Sequence, residues 1–249
     1  VIENPDRFDL GSYFLGFWIA DGSYAKGRLR FLISHRDRAI LDLFHAHYGG
    51  TRSEYVYNNG ISYYSVPVSV VSELMQRANI TSDKRTAERG QIRFQGETEF
   101  CSFLLGFIDG DGSVSAPSFH RSTRISMIAH SRELLECLCV GAIGFTGAKG
   151  RLVVSKGKYY QLVYSRDAVS TLAHKLSPYL LQSFRKHRLI ADIVANYDYD
   201  RAKVFHSKLD KAAHDEMVVL RQQGLSYGEI ARRYEVSKQS VMAVVKRRL

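Results

Sequence analysis

Two aspartates in this chain stand in matching company. Asp21 lies within SYFLGFWIADGSY (12–24) and Asp111 within SFLLGFIDGDGSV (102–114), two copies 90 residues apart. Each copy reads as a short apolar helix ended by Gly22 or Gly112, a common helix stop. An acid at that end meets the partial negative charge of a helix C-terminus, disfavoured by a few tenths to ~1 kcal/mol. The penalty falls twice, at equivalent places. A hard divalent cation would offset it, because carboxylate and carbonyl oxygens are its preferred ligands. Asp21 and Asp111, with Ala20 and Gly110 beside them, would then hold metal ions against a phosphate backbone and support phosphodiester hydrolysis. A core helix with a polar last residue would explain one copy; two copies in a basic chain favour a site.

Small residues suggest how the two aspartates meet. Gly16 and Ala20 are four apart, as are Gly106 and Gly110. That spacing places them on one helix face and lets two backbones approach. Packing through those faces would bring Asp21 and Asp111 together at one edge.

The elements around each copy repeat as well. Leu29, Phe31 and Ile33 alternate with Arg28, Arg30 and Ser34, and Ile125 and Met127 alternate with Arg124 and Ser126. Period two means a strand with one buried and one wet face. Helical stretches follow over 38–48 and 132–140. Hairpins turn near Asn58-Asn59-Gly60 and Lys156-Gly157, and apolar helices close each half around 70–77 and 168–176. The expected fold is α+β: two pseudo-symmetric αββαββα half-domains over 1–95 and 96–195. A polar connector covers 81–100, a linker covers 196–208, and a small all-α domain covers 209–249.

Bulk composition narrows the partner. The chain has 249 residues, 35 Lys+Arg against 25 Asp+Glu, and a net charge of +10. Such an excess attracts a polyanion, and nucleic acid is the commonest. Neither a basic amphipathic helix nor a lipid anchor points to a membrane surface. Cys101, Cys137 and Cys139 are an odd set without CxxC spacing, which argues against disulfides and structural zinc. With no signal pattern and no apolar run long enough to span a bilayer, an intracellular, reducing compartment is expected.

The tail is a separate reader by pattern. Ser226 to Glu229 forms a capping box, Ile230, Ala231 and Tyr234 follow, and Ser237 caps a further helix bearing Val241, Val244 and Val245. A preceding helix over about 210–223 would support it. The segment resembles the helix-turn-helix of transcription factors and resolvases, with Glu235 in place of the usual turn glycine. Lys238, Gln239 and Ser240 would face base edges, and Lys246, Arg247 and Arg248 would sit nearer phosphates.

FLGFWIADG (14–22) and LLGFIDGDG (104–112) resemble the two LAGLIDADG motifs of single-chain homing endonucleases and related maturases. The resemblance covers roughly the first 195 residues. It implies two four-stranded sheets forming a saddle over the DNA major groove. It also implies a monomer that cuts double-stranded DNA at a long, mostly asymmetric site, using magnesium and leaving short 3′ overhangs. Asp21 and Asp111 fall on the motif position that binds the metal. The earlier acidic position is Ile19 in one copy and Asp109 in the other. The resemblance also implies a catalytic basic residue late in each half near the active centre, for which Lys84 and Lys186 match by position, with Arg85 and Arg185 as competitors. Outward strand positions would read bases: Arg28, Arg30, Ser34, Arg124 and Ser126, and from the hairpins Arg52, Glu54, Tyr64, Arg151, Lys158 and Gln161. Two other readings stay open. Some bacterial regulators join a LAGLIDADG-like domain to a helix-turn-helix and do not cut, although both aspartates are kept here. An intron RNA maturase is the other.

Overall fold

Asp9 starts the first helix: its carboxylate accepts the Ser12 amide at 3.1 Å, satisfying a donor that the helix leaves open. Helix α1 (Leu10–Asp21) is apolar all round, and Ser12 through Ile19 are buried, as expected of a helix with neighbours on every side. In the computed structural model the described residues are 7–55, 60–81, 90–116, 123–155, 159–196, 211–234 and 236–246. Strands β1 (Ser23–Ala25) and β2 (Arg28–Ser34), helix α2 (Ala39–Tyr48), strands β3 (Thr51–Tyr55) and β4 (Ile61–Pro67), and helix α3 (Val68–Arg77) complete the first half. The order then returns as α4 (Glu97–Asp111), β5 (Gly112–Ser115), β6 (Arg124–Ala129), α5 (Arg132–Thr146), β7 (Arg151–Ser155), β8 (Tyr159–Ser165) and α6 (Asp167–Leu176).

Each half is therefore αββαββα around one antiparallel sheet, ordered β1-β2-β4-β3 and β5-β6-β8-β7. Helix α4 begins at Glu97, inside the segment read as connector, and α5 runs on to Thr146, beyond the expected end at 140. A further helix, α7 (Arg185–Asn196), was not separated by the sequence pattern.

Aromatic side chains fill the first half. Phe14, Phe17, Phe31, Phe44 and Tyr64 are all at most 1% exposed, with ring centroids 4.9–6.3 Å apart. Polar ties join the halves. The Asp9 amide donates to Ser102 Oγ at 3.0 Å, and the Arg185 guanidinium meets the Asp37 carboxylate at 3.1 and 3.3 Å. The cysteines are free; burial pushes the Cys101 thiol up to about 12, which keeps it protonated and inert.

The chain divides into two units, Val1–Tyr197 and Asp198–Leu249. The second contains α8 (Lys211–Gln222), α9 (Tyr227–Arg233) and α10 (Lys238–Lys246) around Met217, Leu220, Ile230, Ala231, Val241 and Val245. The capping box at Ser226 and Glu229 is formed on both sides, and the Ser240 amide donates to Ser237 Oγ at 3.0 Å.

Candidate functional site

Helices α1 and α4 pack through their small residues. A Cβ on Gly16 would run into the carbonyl of Phe103, and one on Gly106 into the carbonyl of Tyr13. Further along, a Cβ on Gly110 would lie 2.5 Å from Ala20 Cβ and 3.4 Å from Asp21 Cβ. The C-terminal ends of the helices thus lie together, and Asp21 and Asp111 are both exposed there. Gly22 and Gly112 end the helices in extended conformation, at φ −83° and −93°, rather than the left-handed one. Glycine is needed for space instead: a Cβ would strike the helix's own last turn, at Trp18 and at Ile108.

The cation that answers the dipole of α4 comes from the protein. Lys186 Nζ, at the start of α7, donates to the carbonyls of Ile108 at 2.8 Å, Asp109 at 2.8 Å and Gly112 at 2.9 Å, with Gly110 O at 3.3 Å. Lysine at the last turn satisfies orphan carbonyls and complements their partial charge. Burial lowers the Lys186 pKa, partly countered by the charge of Asp109. Lys186 therefore meets the backbone that carries Asp111. Lys84 and its competitor Arg85 lie outside the described residues.

Beside this cap sits a buried polar cluster that the sequence pattern did not single out. The Tyr13 hydroxyl donates to Asp109 Oδ2 at 2.6 Å, and His187 Nε2 lies 3.0 Å from the same oxygen. The Leu181 amide donates to His187 Nδ1 at 2.8 Å, so that nitrogen is the acceptor and a proton on the neutral ring sits on Nε2. Burial and the neighbouring Asp109 charge hold the Tyr13 phenol well above the usual tyrosine range. Asp109 thus ties α1 to α4 through Tyr13, with the His187 ring of α7 packed beside it though its Nε2 is not in hydrogen-bonding geometry. The one available signal was an acid inside an otherwise apolar motif.

Lys186→Met is expected to lower thermal stability. Three charge-assisted bonds to the α4 terminus disappear, at about 1.5–3 kcal/mol for a bond to a charged group. For a unit of this size that is a melting-temperature drop of about 3–12 °C. An unchanged melting temperature would show that the ammonium does not hold the helix end.

Strand register decides which side chains face away from the helices. Residues directly opposite in an antiparallel pair share a face. Arg28, Arg30 and Ser34 lie on the outward face of β2, opposite the parity of buried Leu29, Phe31 and Ile33. Arg124, Ser126, Arg151 and Gln161 share the corresponding face of the second sheet: Ser126 pairs with Val163, Val163 with Arg151, and Gln161 with Ile128. Ser126, however, is only 1% exposed in the middle of its sheet, so its short side chain does not reach solvent as expected.

Three expected base-reading residues lie on the other face. Tyr64 pairs with Phe31, is fully buried, and donates its hydroxyl to Phe44 O at 3.3 Å. Arg52 pairs with Tyr64 and bonds Asp42 on α2 and Glu54 Oε1, the latter at 2.8 Å. Glu54 pairs with Ser62, which in turn pairs with buried Ile33. The outward set on β3 and β4 is instead Thr51, Ser53, Tyr63 and Ser65. In ISYYSVP (61–67) both parities hold a tyrosine and a serine, so alternation could not choose between them. Lys158 lies outside the described residues, as do Asn58, Asn59 and the Lys156-Gly157 turn.

In the second unit Lys238, Gln239 and Lys246 are exposed, and Ser240 is half-buried in the first turn of α10. Arg247, Arg248 and Glu235 lie outside the described residues, and so does the expected linker beyond Asn196.

Two αββαββα halves meeting through a pair of glycine-faced helices, each half with its own four-stranded antiparallel sheet, are the architecture of the LAGLIDADG fold. No family model and no curated protein sequence matches the chain. Solved structures do. Full-length DUF199/WhiA from Thermatoga maritima is 16% identical, covering 98% of this chain and 90% of its own, at a TM-score of 0.52. The N-terminal LAGLIDADG domain of DUF199/WhiA is 18% identical, covering 77% and 91%, at 0.53. The LAGLIDADG meganuclease I-AabMI, bound to uncleaved DNA, is 12% identical, covering 78% and 92%, at 0.55. At such identities the likeness is one of fold.

Proposed function

We propose that this chain is a site-specific, metal-dependent endonuclease of double-stranded DNA. The observation that carries the reading is the meeting of the helix ends that bear Asp21 and Asp111, where Gly110 packs on Ala20 and Asp21. The donor set suits a hard cation such as magnesium: two carboxylates with the backbone carbonyl of Ala20, and that of Gly110, which also accepts a longer 3.3 Å bond from Lys186 Nζ. No cluster of three or more His, Cys, Asp or Glu occurs among the described residues, so the remaining ligands would be phosphate oxygens and water. When bound, such an ion lowers the pKa of its water and stabilises the leaving oxygen. Within the chain, Lys186 is a positioning residue, since it grips the turn that presents Asp111. Arginines on the outward sheet faces supply charge for the phosphates and donors for guanine edges. I-AabMI, a neighbour bound to DNA, shares this fold.

The tail is proposed as a second DNA reader, with α9 and α10 as a helix-turn-helix. Lys238, Gln239 and Ser240 would address base edges, and Lys246 and Arg247 phosphates. Residues 196–249 hold 11 Lys+Arg against 7 Asp+Glu. Removing 209–249 is expected to leave a folded, metal-dependent nuclease with weaker binding, a shorter footprint and a shallower salt dependence. Binding and footprint of both lengths across a salt series test this, and an identical footprint and slope would end the reading of the tail.

One observation favours a second reading, a DNA-binding regulator that does not cut. The likeness to full-length DUF199/WhiA spans 98% of the chain, whereas that to I-AabMI spans 78%. Incubation with a randomised duplex library and magnesium separates the two. Cleaved ends of one sequence support the nuclease, and enriched but intact duplexes support the regulator.

A further inference from the structure

The outward faces of the two sheets carry an apolar feature in duplicate. Ser23 and Ser113 each follow a motif aspartate by two residues and pair with Arg30 and Ser126 respectively. That pairing makes Arg30 and Ser126 equivalent, and therefore also Leu32 and Ile128, two residues further along each strand. Leu32 is 57% exposed and Ile128 is 38% exposed. A single exposed leucine needs no explanation. Here a branched aliphatic side chain stands at the same register point of both halves, on the face that also carries the arginines.

We propose that Leu32 and Ile128 are specificity-determining residues that each pack on the C5-methyl group of a thymine, one in each half of the target site. The inference rests on the reading of these faces as DNA-binding. The charge of the surrounding arginines selects a polyanionic partner over an apolar protein. Within the major groove the thymine methyl is the apolar feature of the base edges, and aliphatic side chains are its natural contacts. Because Leu32 and Ile128 occupy equivalent register positions, the two thymines stand at matching distances from the centre of the site. The neighbours differ, with Leu32 opposite Tyr63 and Ile128 opposite Gln161, so the flanking bases need not match.

The test uses the full chain without magnesium, so that binding is read apart from cleavage. Bound duplexes are selected from a randomised library, and each thymine of the enriched site is replaced in turn by deoxyuridine, which lacks only the methyl. Replacement at one thymine in each half-site is expected to weaken binding about fourfold, the equivalent of ~0.8 kcal/mol per buried methyl-sized group. Leu32→Ala should weaken binding similarly and erase the preference for thymine over deoxyuridine at one of the two positions, while Ile128→Ala should erase it at the other. Both side chains are exposed, so both variants should keep the parent melting temperature. A purely structural role would leave the thymine preference intact in both variants, and that result overturns the proposal. An enriched site that tolerates deoxyuridine throughout also overturns it while sparing the DNA-binding reading. Failure to enrich any duplex removes both.

Discussion

Asp21→Asn and Asp111→Asn are each expected to lose double-strand cleavage by at least about a hundredfold, the scale seen when one group stabilising transition-state charge is removed. Specific binding should persist. The substitution keeps shape and deletes one negative charge, which weakens a site built of hard oxygen donors. Stability supplies an independent readout. Both aspartates are exposed at helix C-termini. Removing an anion there relieves an unfavourable dipole interaction of a few tenths of a kcal/mol. The Asp21 variant should therefore hold or slightly raise the melting temperature, whereas at Asp111 the attraction between the carboxylate and the Lys186 ammonium offsets that gain and the melting temperature should stay about the same. Unchanged cleavage in either variant would remove the assigned role. A lower melting temperature with loss of binding would mean that the carboxylates serve the packing of the helix pair.

Gly106→Leu and Gly16→Leu are expected to destabilise the first unit strongly. At both positions the added Cβ would meet a backbone carbonyl of the facing helix, Tyr13 or Phe103, and not the flexible end of a side chain. Neither helix can yield, because each is packed on all sides. Overpacking of this kind costs ~1–3 kcal/mol and more where backbone must move. A loss of about 3 kcal/mol reads as a melting-temperature drop of about 6–12 °C. Even Gly106→Ala should destabilise. Gly144→Ala is the control: it lies in α5, is exposed, and its Cβ would have nothing within 4 Å. Helix propensity alone should make that change neutral or stabilising by up to ~1 kcal/mol. Equal behaviour of Gly106→Ala and Gly144→Ala would show that the helices do not meet as described.

Much of the architecture was legible because it is written in local, repeated patterns. The motif duplication, the small-residue spacing and the alternation of Leu29, Phe31 and Ile33 each report a periodicity set by backbone geometry alone. The same holds for Ser226 and Glu229, whose capping box closes within one turn of helix. The helix pair was accessible for the same reason, since small residues four apart admit a close neighbour whatever that neighbour is.

Long-range pairing decided the rest. Whether Tyr63 or Tyr64 faces the core depends on which residue stands opposite Phe31, and a one-residue shift exchanges the two faces of a strand. Arg52 and Glu54 followed Tyr64 to the helix side for that reason. Lys186 and His187 lie more than 70 residues from the α4 carbonyls and Asp109 that they meet. The family resemblance points to Lys186, but nothing in the run RKHRL itself shows which carbonyls it caps or separates His187 from solvated charge. Only the folded chain, by burying His187 and drawing the Lys186 ammonium onto the end of α4, turns those residues into supports for the aspartate beside them.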